Sequence, residues 1–307
     1  MTRASPKSAG KQRGRPAKTE VELLRVKVWY LAVKARGWTD YRLDLEFAWE
    51  NDKNERKGAD RLRVFETIGR RLNSPSAGRH PKRQFDLISR VDAHPEFAGT
   101  ADIYFSPFWR LMQADDMGLD DAHAFVVEQL ERCNALRPSK NMDFLIWHAD
   151  SGTPNVRAKD IFPDGKLYQI ALKQIVQELP LGLDVLALLG GLFREAYLVC
   201  ELEIAMAIKS LFLETLNAYT AQEWLDDARF QLLEEAVHKI LHWLVAEKVS
   251  EENSTYREFP GAVVKRALLR KTDEVKALIP YADWVFDLAW LSNFISPDGA
   301  QEESDSY

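Results

Sequence analysis

The chain reads as a mainly α-helical, multi-helix protein with a disordered basic N-terminal arm and a larger C-terminal helical domain, and three observations lead there. Its 307 residues are 46% hydrophobic and 29% charged, which is ordinary for a globular protein and enough for a sizeable core. Beyond residue 166 apolar side chains recur at helical spacing between breaks at Pro180, residues 250–254, Pro260 and Pro280,. The charge, finally, is divided. Residues 1–90 hold 22 Lys+Arg against 11 Asp+Glu and the remainder holds 19 against 36, so the net charge of -6 hides a basic portion and an acidic one. Such asymmetry suits a basic part that meets a polyanion while the acidic part stays off it, or two solvated faces of opposite sign.

Residues 1–18, MTRASPKSAGKQRGRPAK, carry six basic side chains among Gly, Pro and Ser and almost nothing that could enter a core; this composition predicts an arm that is disordered when free. They contain no apolar run of the kind a secretory signal needs. Within them stand Arg13, Gly14, Arg15 and Pro16, flanked by Lys11 and Lys18. These four residues resemble the core of the AT-hook, a short motif that lies extended in the minor groove of A·T-rich DNA. The resemblance implies that Gly14 lets the backbone reach the groove floor, Pro16 keeps the strand extended, and Arg13 and Arg15 enter where the negative potential is greatest. It covers four residues only, and a basic arm also serves as a nonspecific nucleic-acid contact or a solubilising extension.

Residues 20–36 follow as a helix with Leu23, Leu24, Val28, Leu31 and Ala32 at its apolar positions, ended by Gly37,. Thr39 caps a second helix to about residue 49, and a third fits residues 61–72 after a charged segment,. Arg61, Arg63, Arg70 and Arg71 lie on that third helix. Two helices split by a Gly turn begin a helix-turn-helix, and residues 65–69 followed by Pro75 look like the end of a Cro-type domain. The chain departs from that pattern in the roughly ten residues between second and third helices, where a recognition helix follows a tight turn. A linker at 74–81 and a helix at 82–93, stopped by His94-Pro95, complete the basic region,. The aromatic stretch 97–112 is a buried connector packing Tyr104, Phe105, Phe108 and Trp109,. Residues 119–136 are helical, and 144–147 with the Gly/Pro-rich 150–164 is the one place for a short hairpin,. Helices then fill 166–179, 181–219, 221–248, 261–279 and 281–295. These units divide as an arm at 1–18, a basic helical region at 19–95, a connector at 96–165, an acidic helical domain at 166–296 and an acidic tail at 297–307.

The segment 181–219 is the most apolar and organises the C-terminal part. Wound as a helix it gathers Leu186, Leu189, Phe193, Cys200, Ile204, Ala207, Ile208 and Leu211 in one stripe and leaves Asp184, Arg194, Glu195, Glu201, Glu203, Lys209 and Glu214 on a wetted edge,. Its longest uncharged apolar run is 185–193, half of what a membrane span needs,. Gly190-Gly191 either breaks it or admits a close neighbour.

Chemistry-bearing patterns are sparse. Glu234, His238 and His242 fall in one row of a helix, and Glu235 with His238 has the Glu-x-x-His spacing of di-iron bundles, but no second such pair exists and Lys239 stands where a zinc-protease base would be,. The chain has neither a phosphate loop nor a Gly-x-Ser-x-Gly turn. Cys133 and Cys200, at apolar helical positions, suit burial in a reducing, cytoplasmic setting, nucleoid-associated if DNA is bound,. No catalytic set, metal site or cofactor is expected. The sequence favours a DNA-associated accessory or regulatory protein, with A·T-rich DNA as partner of Arg13, Gly14, Arg15, Pro16, Arg61, Arg63, Arg70 and Arg71 and with no membrane role. The alternatives are a helical interaction module, whose C-terminal domain binds a protein or a second copy, and an enzyme of a type the sequence does not betray.

Overall fold

A computed structural model gives the fold, described over residues 18–48, 63–75, 86–114, 117–136, 142–148, 158–162, 165–199 and 201–245. Arg13 to Pro16, Arg61, Cys200, the helices expected at 261–279 and 281–295 and the acidic tail lie outside the described residues. Within them the protein is helical throughout and holds no strand. In order the helices are α1 (Glu20–Lys34), α2 (Asp40–Leu43), α3 (Val64–Arg71), α4 (Leu87–Asp92), α5 (Thr100–Phe105), α6 (Pro107–Gln113), α7 (Leu119–Leu136), α8 (Ala158–Ile161), α9 (Gly165–Glu178), α10 (Leu183–Leu198), α11 (Leu202–Thr220) and α12 (Arg229–Val245).

Helix α1 joins two cores. It starts in a capping box, the Thr19 hydroxyl accepting from the Glu22 amide at 3.1 Å while the Glu22 carboxylate accepts from the Thr19 amide at 3.0 Å,. It ends before Gly37, whose φ of 78° is one that other residues adopt with difficulty,. Val21, Leu24 and Val28 enter a large core built with residues 108–243, whereas Val26, Trp29 and Val33 enter a smaller one reaching to Tyr104. The stripe read from Leu23, Leu24, Val28, Leu31 and Ala32 therefore captured one face; a helix buried on both sides has no single apolar stripe to display.

In the small core Trp29 packs on Phe65 and Tyr104, and Trp38 on Phe47 and Phe97. Thr39 caps α2 by accepting from the Arg42 amide. The helix expected to run to 49 is α2 followed by a π-helical turn at Asp44–Ala48, which leaves Tyr41 and Leu45 half exposed. That turn brings the buried Asp44 carboxylate under α3, where it accepts from the Phe65 amide at 3.0 Å and satisfies a donor that the first turn of α3 cannot pair internally,. The connector is two short helices, α5 and α6, joined at Ser106; Tyr104, Phe108 and Trp109 are buried, but Phe105 faces outward. The site offered for a hairpin at 144–147 is, over the described residues, a 3-10 turn, Asp143–Leu145, followed by Ile146 in extended conformation, whose carbonyl accepts from the Ala158 amide at the start of α8.

The large core is centred on α10, flanked by α7 and α11. The apolar segment holds two helices, α10 ending at Leu198 and α11 starting at Leu202, and the glycines do not break it. Gly190 and Gly191 lie inside α10, where their neighbours come too close for a side chain. A Cβ on Gly190 would lie 2.4 Å from Leu111 Cδ2, and one on Gly191 would lie 2.8 Å from Phe125 Cδ1. The wetted edge is also corrected: Arg194, Glu195 and Lys209 are buried. Helix α10 is enclosed all round, so its charged residues must find partners inside.

Candidate functional site

The basic surface expected on the third helix stands on α3. Phe65 and Ile68 anchor this helix in the small core, and on its outer side Arg63, Arg70 and Arg71 are exposed. Glu66 lies between them, 3.1 Å from Arg70 and 3.6 Å from Arg63. With the arginine side chains 64% and 76% exposed these pairs hold little energy, so both guanidinium groups remain available to an incoming anion,. Leu72 closes α3 with a left-handed φ of 48°, and its carbonyl accepts from the Lys18 ammonium at 2.6 Å. Lys18 is the last residue of the basic arm. The structure thus ties the root of the arm to the end of the basic helix, next to Arg70 and Arg71.

A polar groove of ≈ 540 Å³ opens between α2 and α3, lined on the α3 side by Glu66, Gly69 and Arg70. Asp40 and Glu66 supply carboxylates, Arg70 a guanidinium, and Tyr30 and Tyr41 two rings. Tyr30 crosses the groove where α3 offers Gly69: a Cβ there would lie 2.6 Å from the ring. Its hydroxyl donates to Asp40 at 2.9 Å, and the Lys34 ammonium reaches the same oxygen at 3.1 Å. Burial and then the Asp40 hydrogen bond raise the Tyr30 hydroxyl well above its ordinary range, so it stays a donor,.

No family model matches the chain, and comparison with curated proteins and with solved structures found no match.

Elsewhere the row of Glu234, His238 and His242 lies on α12, with His242 exposed and Lys239 turned inward to donate to the Ala114 carbonyl. Among the described residues no three His, Cys, Asp or Glu side chains are arranged to hold a metal ion. Burial pushes the Cys133 thiol up to about 12, Asp184 adding to the effect, so the sulfur is protonated at neutral pH and unsuited to attack,.

One cluster escapes the sequence. The buried Glu195 carboxylate faces His123 Nδ1 at 2.8 Å and accepts from the His148 and Trp147 amides at 3.2 and 3.4 Å. His148 stacks edge-on against His123, and its Nε2 lies 3.8 Å from Asp120. Residues 123, 148 and 195 share no local spacing, but a glutamate inside the most apolar stretch was a signal that a donor must come from elsewhere. The cluster pins the turn at 142–148 to α10.

Proposed function

We propose that the protein is a DNA-associated accessory or regulatory protein whose arm and third helix act on one duplex: Arg13 and Arg15 in the minor groove of A·T-rich DNA, with Gly14 and Pro16 shaping the strand, and Arg61, Arg63, Arg70 and Arg71 on phosphates. The observation that carries this reading is the bond from Lys18 to the Leu72 carbonyl. Arg15 is three residues from Lys18, about 10 Å of extended chain, so an arm rooted there starts at the basic end of α3. Buried Asp44 beneath Phe65 supports it by giving α3 a fixed seat. The acidic C-terminal part stays off the polyanion.

Binding of A·T-rich and G·C-rich duplexes, measured for the intact protein and for Arg13→Ala/Arg15→Ala, tests the reading. A preference for A·T-rich DNA that vanishes with the two arginines is expected; no binding near physiological salt overturns it.

A second reading, a protein-interaction module, draws on α9. Leu167, Ile170 and Leu181 are about half exposed, and Leu181 lines a groove of ≈ 240 Å³ with Val176, Leu179 and Leu211, rimmed by Lys173 and Glu214,. Dimerisation through this face would make sedimentation of the protein concentration-dependent, and Ile170→Glu would abolish that dependence.

A further inference from the structure

We propose that the groove between α2 and α3 is the resting place of the chain's own basic arm, with the Arg15 guanidinium seated between the Asp40 and Glu66 carboxylates against the Tyr41 ring. This goes beyond the DNA reading: the docking stands without it, and only the exchange of arm between groove and duplex rests on it.

Three observations support the occupant. The first is where the described chain begins. Lys18 is fastened to Leu72, and the groove residues Arg70, Gly69 and Glu66 lie two, three and six positions earlier in the chain, about 3, 4.5 and 9 Å along the axis of α3,. Arg15 is about 10 Å of chain from Lys18, so the groove lies within its reach, and a tether so short gives an effective concentration on the order of millimolar. A contact too weak to hold a free peptide would therefore hold the arm.

The second is complementarity. A guanidinium finds two carboxylates and the faces of aromatic rings here, the combination that suits arginine better than lysine,. Arm residues 1–17 carry Lys and Arg and no acidic side chain, so their charge suits Glu66 and Asp40, the latter already shared by the Lys34 ammonium at 3.1 Å. The third is that the resident partners of Glu66 are replaceable. Arg63 and Arg70 hold it from largely exposed positions, where an ion pair contributes little, so an incoming Arg15 displaces them at small cost and leaves α3's arginines facing outward. A duplex would take both, drawing the arm from the groove to its own backbone.

The test is photocrosslinking in the full chain, with p-benzoylphenylalanine in place of Tyr41 and the adducts mapped by mass spectrometry. Intramolecular adducts within residues 11–17 are expected. Their yield should fall about fivefold in Asp40→Asn/Glu66→Gln, which keeps the acceptor for Tyr30 but removes the charges, and should fall similarly when salt rises from about 50 to about 500 mM. Absence of arm adducts, or a yield that neither change moves, overturns the docking. An A·T-rich duplex at saturation should abolish the adducts; if the duplex binds and they persist, the exchange is wrong. If no duplex binds while the adducts form as described, the docking is upheld and it is the DNA reading that fails.

Discussion

Replacing Glu195 by alanine is the most exacting perturbation of the fold. The side chain is fully buried, and its two oxygens serve His123 Nδ1, the His148 amide and the Trp147 amide. A hydrogen bond to a charged group contributes about 1.5–3 kcal/mol, and a buried donor left without a partner costs about 1–3 kcal/mol. His123 and His148 are partly exposed and recover some of this through water, which brings the loss to about 3–5 kcal/mol, the range for breaking a buried pair from one side. Against a total stability on the order of 5–15 kcal/mol that is a large fraction. Urea unfolding should show the midpoint falling accordingly, with Glu195→Gln intermediate because it keeps an acceptor. Hydrogen exchange at the Trp147 and His148 amides should quicken even where α10 is unaffected. A loss under about 1 kcal/mol would mean that the carboxylate does not hold the 142–148 turn, and the account of the large core would need revision.

Other substitutions probe separate parts. Gly191→Ala should destabilise by about 1 kcal/mol in thermal or urea unfolding, because overpacking against Phe125 and Val126 outweighs the gain of about 1 kcal/mol that alanine brings to an open helix,. Asp44→Ala should cost about 2 kcal/mol by removing the acceptor beneath α3, and Asp44→Asn less,; weaker duplex binding should accompany the first. Glu235 has its carboxyl raised above 4.5 by burial, with Glu20 and Glu234 adding and His238 and Lys239 opposing. The folded state therefore binds that proton more tightly than the unfolded chain, and ionisation is a growing penalty as pH rises above 4.5,. Glu235→Gln should be more stable than the parent at neutral pH and lose that advantage below about 4.5.

The helical class and most element positions are legible because proline, glycine and a Thr cap punctuate a 3.6-residue pattern: Gly37 and Thr39 act where their chemistry says they should. What escapes depends on contacts between distant residues. Arg194 and Glu195 look like a wetted edge until the carbonyls of Met117 and Trp243 and the ring of His123 arrive from other helices. The glycine pair suggests either a break or a close approach, and only Leu111 and Phe125 decide for the latter. At the candidate interface the sequence names arginines but not the groove between them, since Tyr30, Asp40 and Glu66 meet only when α1, α2 and α3 pack. The bond from Lys18 to Leu72 spans 54 positions and has no local signal.

The central claim is that arm and α3 form one bipartite surface, and the salt dependence of duplex binding tests it most directly. With the charge of six phosphates offset by Arg13 and Arg15 in the groove and Arg61, Arg63, Arg70 and Arg71 on the backbone, the logarithm of affinity against the logarithm of salt concentration should have a slope of about -5.4. Arg13→Ala/Arg15→Ala and Arg70→Ala/Arg71→Ala should each bring it to about -3.6, and the four together to about -1.8. A slope that the arm substitutions leave unchanged, or binding too weak to measure near physiological salt, would contradict the account.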